Sequence, residues 1–120
     1  MLAFGLIPLD LPPGWEIVKR GVKAELDGKD SFYIVINTPR DVITFLTMFE
    51  SGIKNSVLKA GWKVIEEFKL NGHEAIIFAH PTGVRKQLYW YCEACESTFL
   101  VNFSEEDEKV KSIFEEFKCH

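Results

Sequence analysis

Between Trp62 and Phe103 the chain is built almost entirely of strand-forming residues, and one dipeptide in that stretch fixes its local path. Asn71-Gly72 sits between the alternating run Trp62, Val64, Phe68, Leu70 and the run Glu74 to His80. An Asn-Gly pair is the strongest short hairpin signal, because both central residues of a tight two-residue turn need positive φ. In the first run Glu66 is the one misfit on the apolar side. The return run is apolar on both sides, with Ala75, Ile77 and Ala79 on one and Ile76 and Phe78 on the other. After Pro81-Thr82-Gly83, the segments Leu88 to Tyr91 and Phe99 to Phe103 are again bulky on both sides. Strands apolar on both faces predict a sheet that is covered on both faces.

Upstream, Trp15 to Val18 and Val22 to Leu26 read as two short strands separated by Lys19-Arg20-Gly21. Asp27-Gly28-Lys29-Asp30 is a polar turn, and Phe32 to Ile36 is a β-branched strand. Thr38-Pro39-Arg40-Asp41 then has the form of a helix start, with Thr38 capping, Pro39 in the first helical position and Asp41 closing a capping box. Val42, Phe45, Leu46, Phe49, Ile53 and Val57 recur at helical spacing, which predicts a long helix over Thr38–Ala60 stopped by Gly61. Ser104, with Asp107 three residues on, opens a second helix over Glu105–Lys118. Its acidic first turn suits the helix dipole, and Val110, Ile113, Phe114 and Phe117 form a buried stripe. The predicted order is β-β-β-α-β-β-β-β-α. The expected fold class is an α/β/α sandwich: a central, mostly antiparallel sheet of about six or seven strands, with one of two main helices on each face.

A chain of 120 residues is the size of one domain, so residues 1–120 are read as a single unit with no linker, repeat or low-complexity segment. The net charge of −4 disfavours a nucleic-acid surface, which needs clustered Lys and Arg. The small basic groups Lys19, Arg20 and Lys23, and Arg85 with Lys86, read as solvated surface. Met1 to Leu11 is apolar but has no positive n-region, cleavage site or lipid-anchor cysteine, and Pro8, Pro12 and Pro13 interrupt it. The expectation is a cytoplasmic protein without a membrane span. The odd count of three cysteines agrees with a reducing compartment.

The order of elements resembles the PsbP-like, or DcrB-like (Mog-type), α/β/α sandwich family. The resemblance rests on the opening Pro12-Pro13-Gly14-Trp15, a strand leading into a long helix, and the restart at Gly61-Trp62. The hairpin Asn71-Gly72-His73-Glu74-Ala75 and the closing stripe Ile113-Phe114-Glu115-Glu116-Phe117 complete it, over roughly Leu9 to Lys118. It implies a binding or assembly role, because members are similar to photosystem II extrinsic subunits, Ran-binding proteins and small envelope lipoproteins. It carries over no catalytic or cofactor residue.

The residues themselves offer two sites. Cys92-Glu93-Ala94-Cys95 falls between two strands, and at a hairpin tip its thiols would form half of a tetrahedral zinc site. Cys119 and His120 would have to supply the rest. A strand of on the order of 26 Å followed by a helix of on the order of 21 Å could bring the tail back to that tip. The same pair permits a disulfide. Thioredoxin-like activation is missing, because a strand rather than a helix follows. Free cysteines at a turn and a tail are the simpler reading. His73 and His80 read as surface or hydrogen-bonded histidines near hairpin ends, and the adjacent pairs Glu66-Glu67 and Glu115-Glu116 diverge.

The second site is aromatic. In Tyr89-Trp90-Tyr91 alternation sends Trp90 to one face and both tyrosines to the other, and two helices cannot cover all of a seven-strand sheet. An uncovered part would be an apolar partner or ligand patch. The sequence therefore predicts a non-catalytic binding or assembly module for a protein partner or self-association, with no catalytic, cofactor or metal residues. The alternative is a zinc- or redox-dependent protein using Cys92, Cys95, Cys119 and His120.

Overall fold

The computed structural model describes residues 11–24, 30–48, 53–94, 97–105 and 107–115. The elements are β1 (Glu16–Ala24), β2 (Asp30–Asn37), β3 (Val42–Met48), α1 (Ile53–Lys59), β4 (Lys63–Leu70), β5 (His73–Ala79), β6 (Lys86–Cys92), β7 (Ser97–Phe103) and α2 (Asp107–Glu115). All seven strands lie in one sheet of order β1-β2-β3-β7-β6-β5-β4, and every neighbouring pair is antiparallel. This corrects the expected α/β/α sandwich with two main helices. The fold is β-rich, and among the described residues its two helices are 7 and 9 residues long.

The correction traces to residues 38–48. Thr38-Pro39-Arg40-Asp41 is the loop of a hairpin in which Asn37 pairs with Val42, not the start of a helix. The Thr38 hydroxyl oxygen accepts the N–H of Arg40 at 3.2 Å and of Asp41 at 2.8 Å, and the hydroxyl donates to the Asp41 carbonyl at 3.0 Å. Side-chain bonding to the backbone two and three residues ahead serves a turn as readily as a helix cap. The next six residues decide between them. Val42-Ile43-Thr44-Phe45-Leu46-Thr47 is rich in β-branched residues, and Ile43, Phe45 and Thr47 are buried with period two. Val42, assigned to the buried helical face, is 50% exposed. As a strand the segment pairs on both sides, with β2 and with β7.

The two short strands expected on either side of Lys19-Arg20-Gly21 are likewise one strand, β1, whose register shifts between Ile17 and Lys19. The element string still reads β-β-β-α-β-β-β-β-α, and β2 is the predicted strand Phe32 to Ile36. However, β1 merges two predicted strands, β3 is formed from the first part of the predicted helix, and α1 lies in its last part. A second register shift falls between Val64 and Glu66 in β4. The extra residue Ile65 puts Trp62 and Val64 on the α1 side, opposite Glu66, Phe68 and Leu70, so the four apolar residues expected on one face are split between two. Glu66 stays with Phe68 and pairs with Lys111 of α2, whose ammonium lies over the Phe68 ring.

Two local signals read from the sequence are present. Asn71 (φ 49°) and Gly72 (φ 86°) form the two-residue turn between β4 and β5. Gly61 (φ 92°) ends α1: its N–H bonds the Leu58 carbonyl and the Trp62 N–H bonds the Val57 carbonyl. That is the Schellman arrangement, with Val57 and Trp62 in the same apolar cluster as its hydrophobic contact.

Although all pairs are antiparallel, the order makes β3 and β4 run in the same direction on either side of β7, β6 and β5. Their connection must therefore return across a face of the sheet, and α1 lies in it. On this face Val57 packs with Ile76, Phe78, Tyr89 and Leu100, joined by Leu46, Trp62 and Tyr91. The other face carries α2. There Val110, Ile113 and Phe114 pack on Ile34, Ile36, Ile43, Phe45, Ile77, Leu88, Trp90, Phe99, Val101 and Phe103, with Trp15 closing one side. Among the described residues no helix is long and apolar enough to cross a membrane.

Candidate functional site

Among the described residues, the α1 face holds a groove of about 590 Å³ beside the start of α1. Its floor is Ile76 of β5 with Tyr89 and Tyr91 of β6, all on the α1 side of the sheet. Lys54 of α1 stands on one wall, and His73, Glu74, Glu93 and Ala94 line the end formed by the β4–β5 and β6–β7 turns. Register builds this floor: Ile76 pairs with Tyr89, and Tyr89 pairs on its other side with Leu100. Tyr89 is buried and Tyr91 partly exposed. Burial first, and then the neighbouring Tyr91, push the Tyr89 hydroxyl above its ordinary value of 10.0. At neutral pH it is a protonated phenol, able to donate and accept one hydrogen bond each way.

Alternation thus divides Tyr89-Trp90-Tyr91 between two environments. Trp90, 2% exposed, stacks on Phe99 at 5.1 Å and packs against Phe45 and Phe114 in the α2-side core. The tyrosines belong to the groove. Sequence reasoning found them but missed Lys54, Ile76, Glu74 and Glu93 as their companions. The Asn71-Gly72 turn fixes β4 against β5, but the register of β5 on β6 crosses a longer loop and is not legible locally.

Cys92, the last residue of β6, is 0% exposed and lies in the α2-side core with Leu88 and Trp90. Its thiol is packed among apolar side chains. Cys95, Cys119 and His120 lie outside the described residues, as do the polar turn at Asp27, Gly28 and Lys29 and the helical positions assigned to Phe49 and Phe117. Among the described residues no three His, Cys, Asp or Glu side chains are grouped to hold a metal ion. His80 packs edge-on against Trp62 at 5.0 Å, and its Nδ1 accepts the Thr82 N–H at 3.1 Å. His73 lines the groove.

At the opposite end of the sheet a polar clasp joins three segments. Asp41 accepts from Arg85 Nη1 at 2.9 Å, from the Ser104 N–H at 2.7 Å and from the Val42 N–H at 2.8 Å. Arg85 Nη1 also donates to Ser104 Oγ at 2.7 Å, and Lys86 Nζ reaches both carboxylate oxygens of Asp107. The residues assigned to helix capping, Asp41 and Ser104, therefore tie the β2–β3 turn to the β7–α2 junction. This is stitching between elements.

Compared with known protein families, with curated proteins and with solved structures, the chain matches none. The PsbP-like resemblance rests on the order and character of the sequence segments alone.

Proposed function

We propose that this protein is a non-catalytic binding module that engages a protein partner through the groove on the α1 face. The observation that carries this reading is the groove beside α1, whose floor is Ile76, Tyr89 and Tyr91. Tyrosine is suited to such a surface, since it offers a large, stiff apolar area and a polar tip. Lys54, Glu74 and Glu93 form a polar rim around an apolar centre, the layout of a recognition surface.

The two sheet edges argue against partnering by strand addition. β1 and β4 each carry a register shift, and charged residues follow it in both: Lys19 and Arg20 in β1, Glu66 and Glu67 in β4. Bulges and charges are the devices that blunt an edge against pairing.

The test is a photo-crosslinking amino acid placed at position 91 and, as a control, at the exposed Val84, in cells that make the protein natively. The expected result is an adduct from position 91 that is absent from position 84 and lost on Glu74→Lys, a charge reversal at the groove end. Adducts from position 84 alone, or from neither, count against the groove. An adduct between two copies, with a dimer mass by light scattering, would make the partner a second copy of this chain.

A further inference from the structure

We infer that the groove takes a basic side chain, Arg or Lys, presented by a peptide segment of the partner. This rests on the groove being the binding site and adds the chemistry of what enters it.

The lining sets two carboxylates, Glu74 and Glu93, against one ammonium, Lys54. Glu74 has a nearby cation in Lys69 at 3.7 Å, but the two side chains are 87% and 70% exposed, so solvent screens that pair and leaves the carboxylate available. Lys54 stands on the helix wall and is itself exposed, so it can turn to solvent. The phenol rings of Tyr89 and Tyr91 line the same groove. A ring face attracts a cation through its quadrupole, and flanking carboxylates strengthen the preference. An acidic side chain would meet both carboxylates. A purely aliphatic one would strip water from them without replacing its hydrogen bonds.

The molecule already uses this pairing twice on the same sheet. The Lys19 ammonium lies 5.7 Å from the Tyr33 ring centroid, and the Lys111 ammonium lies 5.1 Å from that of Phe68. The groove presents the same aromatic component with carboxylates beside it.

The experiment is a titration of the isotope-labelled full chain with three capped tripeptides, Ala-Arg-Ala, Ala-Glu-Ala and Ala-Leu-Ala, followed by NMR. The Arg peptide is expected to shift the Ile76, Tyr89 and Tyr91 resonances saturably while leaving the Trp90 indole unmoved. It should bind at least fivefold more tightly than the other two, and raising the salt should weaken it. The double variant Glu74→Gln, Glu93→Gln should lose at least fivefold in affinity and most of the salt dependence, with Lys19→Gln unchanged. If the Leu or Glu peptide shifts the same resonances equally well, or the double variant binds normally, the charge assignment is overturned and the groove stands. If no peptide moves these resonances at millimolar concentration, the groove falls with it.

Discussion

The two faces of this sheet are made from the same strands and have different fates. On the α2 side, aromatic rings from β3, β6, β7 and α2 close on one another, with Phe45 and Phe114 edge-to-face at 4.7 Å and Trp90 stacked on Phe99. On the α1 side, a seven-residue helix contributes Val57 to a smaller cluster and leaves tyrosine side chains at a groove. Each of β5, β6 and β7 supplies large apolar residues to both sides, so residue type does not explain the difference. Among the described residues, α2 sets Val110, Ile113 and Phe114 into its face of the sheet, whereas α1 sets Val57 into the other.

The contrast is broken most sharply by paired truncations on β6. Trp90→Ala should cost about 3–5 kcal/mol, because it removes a fully enclosed ring and leaves a cavity. Tyr91→Ala, one residue away on the partly open side, should cost about 1 kcal/mol or less, in line with burial of only part of its area. Urea unfolding of the two variants measures both, and equal losses would mean the faces are equally sealed. Asp41→Ala comes next, at about 2–3 kcal/mol. Its carboxylate is 9% exposed, and its loss strands the Ser104 N–H and one Arg85 donor. Had Thr38–Ala60 been a helix, the same change would cost only a helix-cap increment. Gly61→Ala should cost about 1 kcal/mol, since an alanine at φ 92° is strained and the Schellman turn must hold it.

The smallest effect is alkaline. The hydrogen bond to Glu66 raises Lys111 above its usual 10.5, outweighing the opposing effect of burial, and the charges of Glu66 and Glu108 add to the rise. Tyr89 is raised above 10.0 by burial. Both folded values exceed the unfolded ones, so both contributions are complete below about pH 10 and are lost as pH rises through the folded values. Lys111→Met should therefore cost about 0.5–1 kcal/mol near neutrality and flatten the decline in stability above pH 10. Tyr89→Phe should flatten the same decline on the other face, and denaturant midpoints measured across pH 8–12 would show both.

What the sequence made legible was local. Asn71-Gly72 and Gly61 act through their own φ angles and announce a turn and a helix end without reference to the rest of the chain. Alternation likewise separated Trp90 from its flanking tyrosines. Thr38 misled because its hydroxyl makes the same backbone bonds in a hairpin loop as in a helix cap, and Val42, Phe45 and Leu46 fit either period. The β-branched content of Val42 to Thr47 favours the strand, and β7 holds it there through pairs such as Phe45 with Val101 and Leu46 with Leu100, contacts between distant parts of the chain. The groove had the same obstacle. Glu93 and Lys54 join the tyrosines only once β5, β6 and α1 are docked.

The asymmetry between the two faces can be measured directly with a soluble paramagnetic probe and assigned side-chain NMR signals. Strong relaxation of the Tyr91 ring with protection of Trp90, Phe99 and Phe114 is the expected result. Equal protection of Tyr91 and Trp90 would show the α1 face to be closed, and the groove and the function built on it would be contradicted.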